Sequence, residues 1–158
     1  MKEDRINKLI PLQDSLRYKF KDLELLDKAL THKSYSNETA LSVKNNERLE
    51  FLGDAVLDLI VGEYMFLSYQ NLSEGPLSKI RADVVNENCL AGIALNIKLG
   101  NYLLLGKGEC FSGGRQKKSI LANAYEAIVG AIFCDSDFQK TSDIFLPHLV
   151  KRIEESRE

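Results

Sequence analysis

Histidine, cysteine and proline are all scarce: 158 residues hold two His, three Cys and three Pro. Cys89, Cys110 and Cys134 are odd in number, widely spaced and form no C-x-x-C pair, which excludes a disulfide framework and a zinc ribbon. His32 and His148 have no metal-ligand spacing to a cysteine or to each other, so zinc is disfavoured. Ten glycines and three prolines exclude a collagenous or Pro-rich chain, and no uncharged apolar run is long enough for a membrane-spanning helix. The start, Met1-Lys2-Glu3-Asp4-Arg5, mixes acids with bases and leads into no apolar signal segment, so a cytoplasmic protein is expected. Basic excess is missing too. With 21 Lys+Arg against 23 Asp+Glu, the formal charge is −2, and any contact with nucleic acid must come from local charge placement.

What is present is a chain able to bury roughly 68–70% of its unfolded surface without a staple. No repeat, low-complexity tract or internal linker divides it, so one domain over residues 1–158 is expected, with a core at about 12–152. Hydrophobic periodicity is helical almost throughout, predicting an all-α fold. Asp22 suits an N-cap for a first helix carrying Leu23, Leu25, Leu26, Ala29 and Leu30. Residues 37–44 read as loop. A very apolar helix runs from Glu47 to about Tyr69, and the chain restarts at Gly75-Pro76, with Pro76 suited to a first helical position. Patterning then continues to Gly100, with Asn86 as a dividing point. A Gly-rich connection spans Gly106 to Gly114, Ser119 is placed to cap a second apolar helix, Ile120 to Phe133, and an amphipathic segment with Pro147 inside it covers Ser142 to Arg152.

The helix from Glu47 carries Glu47, Glu50, Asp54 and Asp58 in one narrow stripe, at about 100° per residue, on an otherwise almost wholly apolar surface. Such a helix should be buried. Like charges at i,i+3 and i,i+4 repel by roughly 0.2–0.5 kcal/mol per pair even in exposed helices, so something cationic should offset them. A solvated polar face is the ordinary explanation, but the stripe is narrow, of one sign, and has no i+4 lysine. Ion pairing to bases on other helices stays open for Glu47 and Asp58. The second apolar helix has two polar side chains at its centre, Asn123 and Glu126, again on one face. Two buried helices that each present oxygen ligands suggest a site for a hard cation, Mg²⁺ or Mn²⁺. Such clusters serve phosphodiester hydrolysis, where metals about 3.5–4 Å apart activate water and stabilise the leaving oxygen.

The run Asn46-Glu47-Arg48-Leu49-Glu50-Phe51-Leu52-Gly53-Asp54-Ala55-Val56-Leu57 resembles the signature motif of the ribonuclease III family, bacterial type. Ala29-Leu30-Thr31-His32-Lys33-Ser34 before it agrees with the family pattern in order and spacing. So do Glu74-Gly75-Pro76-Leu77-Ser78-Lys79-Ile80-Arg81-Ala82 and Ser119-Ile120-Leu121-Ala122-Asn123-Ala124-Tyr125-Glu126-Ala127 after it. The resemblance implies a helical, homodimeric, metal-dependent endoribonuclease that cuts double-stranded RNA to 5′-phosphate and 3′-hydroxyl ends in RNA processing, ribosomal precursors included. It implies Glu50, Asp54 and Glu126 as catalytic and metal-binding acids, with Asn123 in the metal set and Glu47 and Glu74 as accessory acids. Phe51 would enter a pocket of the partner subunit, or else serve core packing. Lys79, Arg81, Arg115, Lys117 and Lys118 are candidate phosphate contacts, or solubility charges. The histidines are expected to be structural, His32 helix-terminal.

Two departures from the family pattern matter. Asn123 stands where the family usually has Asp, so the site should hold its metals less tightly, and a catalytically weakened or silent dimeric RNA-binding scaffold is the alternative. A third possibility is a helical protein whose acids serve only salt bridges. No double-stranded RNA-binding domain is present in residues 1–158, although bacterial members usually continue into one. Weak RNA binding that depends strongly on divalent metal and salt is therefore expected of this domain alone.

Overall fold

Among the described residues of a computed structural model, 1–39 and 42–158, regular structure is helical apart from one isolated parallel bridge, Thr31 to Leu104. The helices are α1 Glu3–Leu16, α2 Leu23–Ala29, α3 Lys33–Glu38, α4 Glu47–Ser68, α5 Glu74–Val84, α6 Glu87–Asn96, α7 Lys107–Phe111, α8 Lys118–Asp135 and α9 Phe138–Arg157. Single 3₁₀ turns occupy Leu99–Tyr102 and Gly114–Gln116.

α8 is the axis of the core. Ile120, Leu121, Ala122, Ala124, Tyr125 and every residue from Ala127 to Ile132 are buried, because α2, α4, α6 and α9 all pack around it. A helix that is apolar nearly all round has to be surrounded in this way. The Tyr125 hydroxyl lies 2.7 Å from Nδ1 of His148, inside an aromatic cluster with Phe145, so His148 is structural as expected. The far end of α8 is tied down by Asp135. Its carboxylate accepts the Tyr18 hydroxyl at 2.7 Å and the backbone N–H groups of Lys21 and Asp22 at 2.8 and 2.9 Å.

Several local signals act as expected. Asp22 caps α2 through the Glu24 N–H, and Asn86 divides the stretch after α4, where its side chain accepts the Cys89 N–H and so caps α6. Others need correction. The first helix is α1, whose Leu9, Leu12 and Leu16 are buried on one face although Pro11 interrupts its hydrogen bonding. Pro76 is the third residue of α5 and not the first, a position equally free of a required N–H bond. Ser119 lies inside α8, which starts at Lys118. The Gly106–Gly114 connection contains α7, and α9 begins earlier than Ser142 and runs through Pro147. Asn37 and Glu38 close α3, while Ala40 and Leu41 of the expected loop lie outside the described residues.

α4 departs from expectation in a way that bears on assembly. Its inner face, Leu49, Gly53, Val56, Leu57, Ile60, Val61 and Met65, is buried. Phe51, Leu59 and Phe66 are 81%, 56% and 72% exposed, so one chain does not cover the rest of its apolar surface.

Candidate active site

α4 and α8 cross with their backbones in contact, and glycine permits it. A β-carbon on Gly53 would lie 1.7 Å from the Glu126 carbonyl oxygen, and one on Gly130 would lie 2.3 Å from that of Leu49. With no side chain separating the helices there, Glu50 and Asp54, near Gly53 on α4, act on Glu126 of α8 through their charges. Burial, and then the charges of Asp54, Glu50 and Asp58, push the Glu126 carboxyl up from 4.5 to about 8. Glu50 is raised by burial and by Glu47 and Asp54, with Lys33 opposing. Asp58 is raised by burial and Asp54, with Arg81 opposing. Among the described residues, no Lys, Arg or His lies within salt-bridge distance of Glu50, Asp54, Asp58 or Glu126. Glu47 differs: Lys33 lies 4.0 Å from it, in an exposed pair of the kind that contributes little to stability.

Beside the crossing opens a cleft of about 290 Å³. Glu47, Glu50 and Asn123 line it, together with His32, Lys33, Asn46, Glu109 and Lys117. Asn46 fixes the near rim of the cleft. Its N–H donates to the Thr31 carbonyl at 2.9 Å and its side-chain amide to the Ala29 carbonyl at 3.0 Å, clamping the start of α4 to the segment before α3. Asp54 and Glu126 belong to the crossing and not to the cleft lining, and among the described residues no three His, Cys, Asp or Glu are gathered round one point as about a bound ion. The donor set nonetheless fits a hard divalent cation: it is carboxylate and amide oxygen only, and no described base within salt-bridge distance of Glu50, Asp54 or Glu126 answers its repulsion.

A sequence profile for the family described as Ribonuclease-III-like matches residues 22–153. The chain belongs to the ribonuclease III family. It is 48% identical over 152 residues to Ribonuclease 3 of Fusobacterium nucleatum, covering 95% of this chain and 64% of that protein. It is 50% identical over 147 residues to Ribonuclease 3 of Desulfotalea psychrophila, covering 90% and 61%. The chain therefore spans less than two thirds of the length of these relatives. The nuclease domain of Campylobacter jejuni ribonuclease III is similar in structure, in a form described for structural flexibility in a region involved in dimer formation. The TM-score is 0.85 at 48% identity, over 91% of this chain and 97% of that one. A second structure of that nuclease domain gives 0.82 at 49% identity, over 89% and 92%.

The remaining residues expected to act in this ribonuclease III family member are placed unevenly. Lys79 and Arg81 are exposed on α5, with Arg81 alongside Gly62 of α4 and its charge acting on Asp58. Glu74, also on α5, accepts the Ser78 hydroxyl at 3.2 Å and lines a groove with Phe66 and Leu67 at the far end of α4. At about 1.5 Å per residue, roughly 24 Å of helix separates Phe66 from Glu50, so one chain does not bring Glu74 to the other acids. Arg115 is turned inward: its guanidinium donates to the carbonyls of Gly100 and Leu103 at 2.9 and 2.8 Å, a structural tether and not the outward phosphate contact expected of it. Lys117 pairs with Glu109 and lies 3.2 Å from the Ser112 hydroxyl, and Lys118 donates to Asn88 at 3.1 Å. His32, Lys33 and Glu109 line the cleft without having been singled out as site residues. The signal for His32 and Lys33 was the Thr31-His32-Lys33-Ser34 segment of the family resemblance, and Glu109 had none, since only tertiary folding brings these residues beside Glu50.

Proposed function

We propose that this domain is a divalent-metal-dependent endoribonuclease that hydrolyses double-stranded RNA to 5′-phosphate and 3′-hydroxyl ends, acting in the cytoplasm as a homodimer in RNA processing, ribosomal precursors included. The observation that carries this reading is the close crossing of α4 and α8 at Gly53 and Gly130, which sets the charges of Glu50 and Asp54 on Glu126 with no described base in salt-bridge range of the three. A salt-bridge scaffold would place a base there.

Glu50, Asp54, Asn123 and Glu126 would hold Mg²⁺, with Mn²⁺ as a substitute. The bound metal supplies an activated water and stabilisation of the leaving oxygen. The chain's own residues divide the remaining work. Glu126, whose carboxyl holds its proton up to about 8, would hold the cation as the carboxylate, so binding there would release that proton. Asn123 offers a neutral amide oxygen where a carboxylate would add charge, which orients without tightening. Glu47, held by Lys33, stays at the rim as an accessory acid. Lys79, Arg81, Lys117 and Lys118 supply positive charge for phosphates, and duplex RNA needs no base-reading motif because it is recognised by shape and backbone.

The homodimer is supported by Phe51, Ala55, Leu59 and Phe66, which form an exposed stripe along α4. A contiguous apolar stripe of this kind marks an interface, and two-fold pairing would let α4 cover α4. Phe51 would enter a pocket of the partner. Glu74, remote from the acids of its own chain, would have a role only in that assembly. The test is incubation of a long RNA duplex with the domain. Fragmentation with Mg²⁺ and an intact duplex after chelation are expected; an intact duplex under both conditions contradicts the proposal.

A further inference from the structure

Next to the acids, the cleft contains a polar chain for which metal binding has no use. Nδ1 of His32 accepts the Ser34 backbone N–H at 3.2 Å and lies 2.7 Å from the Ser34 hydroxyl. That hydroxyl also accepts the Gly106 N–H at 2.9 Å. The Ser34 N–H contact needs Nδ1 as an acceptor, which leaves the proton of the neutral ring on Nε2. The backbone is pinned as well, since the His32 N–H donates to the Leu104 carbonyl at 3.0 Å. Nε2 has no hydrogen-bond partner among the described residues, and it is not sealed from solvent, because no unpartnered buried side-chain nitrogen or oxygen exists among them. The ring lines the cleft with Lys33 and Lys117. Glu47, Glu50 and Glu109 line it too, and Lys33 and Lys117 lie against Glu47 and Glu109, so what the ring adds is a fixed, neutral N–H donor for an acceptor oxygen.

We propose that Nε2–H of His32 donates a hydrogen bond to a non-bridging phosphate oxygen of the RNA strand in the cleft, making His32 a substrate contact whose aim is set by Ser34 and Gly106. This inference rests on the ribonuclease function proposed above. A phosphate oxygen is favoured over a 2′-hydroxyl because a charged acceptor makes the stronger bond to a fixed N–H.

The experiment is steady-state cleavage of a long RNA duplex in Mg²⁺ by the natural domain, H32N and H32Q, with a melting curve for each. Asn at position 32 can still cap α3 through the Ser34 N–H but is too short to offer a donor beyond it, whereas Gln reaches further. For H32N, KM should rise about tenfold, the size of one hydrogen bond to a charged group, with kcat within about threefold. Its Tm should stay within about 2 °C, and H32Q should recover part of the loss. An unchanged KM in H32N overturns the inference, and so does a raised KM accompanied by a Tm drop of more than about 5 °C without recovery in H32Q. The natural domain also supplies a measurement that needs no variant. With Ca²⁺ in place of Mg²⁺, a short RNA duplex should shift the ¹⁵N resonance of Nε2 and leave Nδ1 in place; an unmoved Nε2 in a duplex-bound domain overturns the contact. If the natural domain neither binds nor cuts duplex RNA, the ribonuclease function itself falls, whereas natural cleavage with an unaffected H32N removes His32 alone.

Discussion

A β-carbon on Gly53 would lie 1.7 Å from the carbonyl oxygen of Glu126. No rotamer relieves such a clash, because the obstacle is backbone, so Gly53→Ala must push α4 away from α8. The expected cost is at least about 3 kcal/mol, seen as a fall in Tm of roughly 10 °C. The same displacement separates Glu50 and Asp54 from Glu126 and should abolish cleavage in whatever protein remains folded. A Tm within about 2 °C of the natural domain would show that the helices do not meet as described.

The repulsion at that crossing makes the metal-free fold sensitive to pH. Glu126 is raised in the folded state from 4.5 to about 8, so its stabilising contribution is complete below about 4.5 and is lost as pH rises through about 8. Melting curves in chelator should therefore show stability falling between those limits. Glu126→Gln should flatten the profile over that window, and Mg²⁺ should restore more Tm at the alkaline end, where the ligands are already deprotonated. A natural domain and a Glu126→Gln variant with parallel profiles would remove the electrostatic account of the site.

Asn123 should leave its mark on metal affinity. Restoring a carboxylate with Asn123→Asp adds a charged oxygen to the cleft, and the Mg²⁺ concentration for half-maximal cleavage should fall about three- to tenfold. An unchanged Mg²⁺ requirement would take position 123 out of the metal set, and activity appearing only in the Asp variant would favour the silent-scaffold alternative.

Much of this arrangement was legible before folding was considered. The stripe Glu47, Glu50, Asp54 and the pair Asn123, Glu126 follow from helical periodicity alone, as does the all-α fold, while residue type marked the cap at Asp22 and the division at Asn86. That the two helices converge was inferred from their matching polar faces, but neither their backbone contact at Gly53 and Gly130 nor the inward turn of Arg115 could be read, because both are long-range packing events with no local signal. α1 was missed although Leu9, Leu12 and Leu16 keep helical spacing, since Pro11 reads as a break while costing one internal bond. α4 was expected to be buried, with Phe51 left open between a partner's pocket and the core, and its exposure shows what periodicity leaves out: apolarity demands a cover but does not tell whether the same chain provides it.

That missing cover gives the next prediction. Each residue of a two-fold interface acts twice, so Phe51→Ala removes two aromatic contacts of about 1.5 kcal/mol or more each and should weaken the dimer by on the order of a hundredfold. Sedimentation velocity at micromolar concentration should find the natural domain dimeric and the variant largely monomeric. A natural domain that stays monomeric, or a variant with unchanged association, would contradict the assignment of this face.

The most direct measurement compares the cleavage rate of a long RNA duplex in saturating Mg²⁺ by the natural domain and by Glu126→Gln, which keeps shape and removes one charge. Cutting by the natural domain, slowed at least about a hundredfold in the variant while its Tm holds or rises, is the predicted result. Equal cutting by both would mean that the carboxylates at the Gly53 crossing are not the catalytic centre.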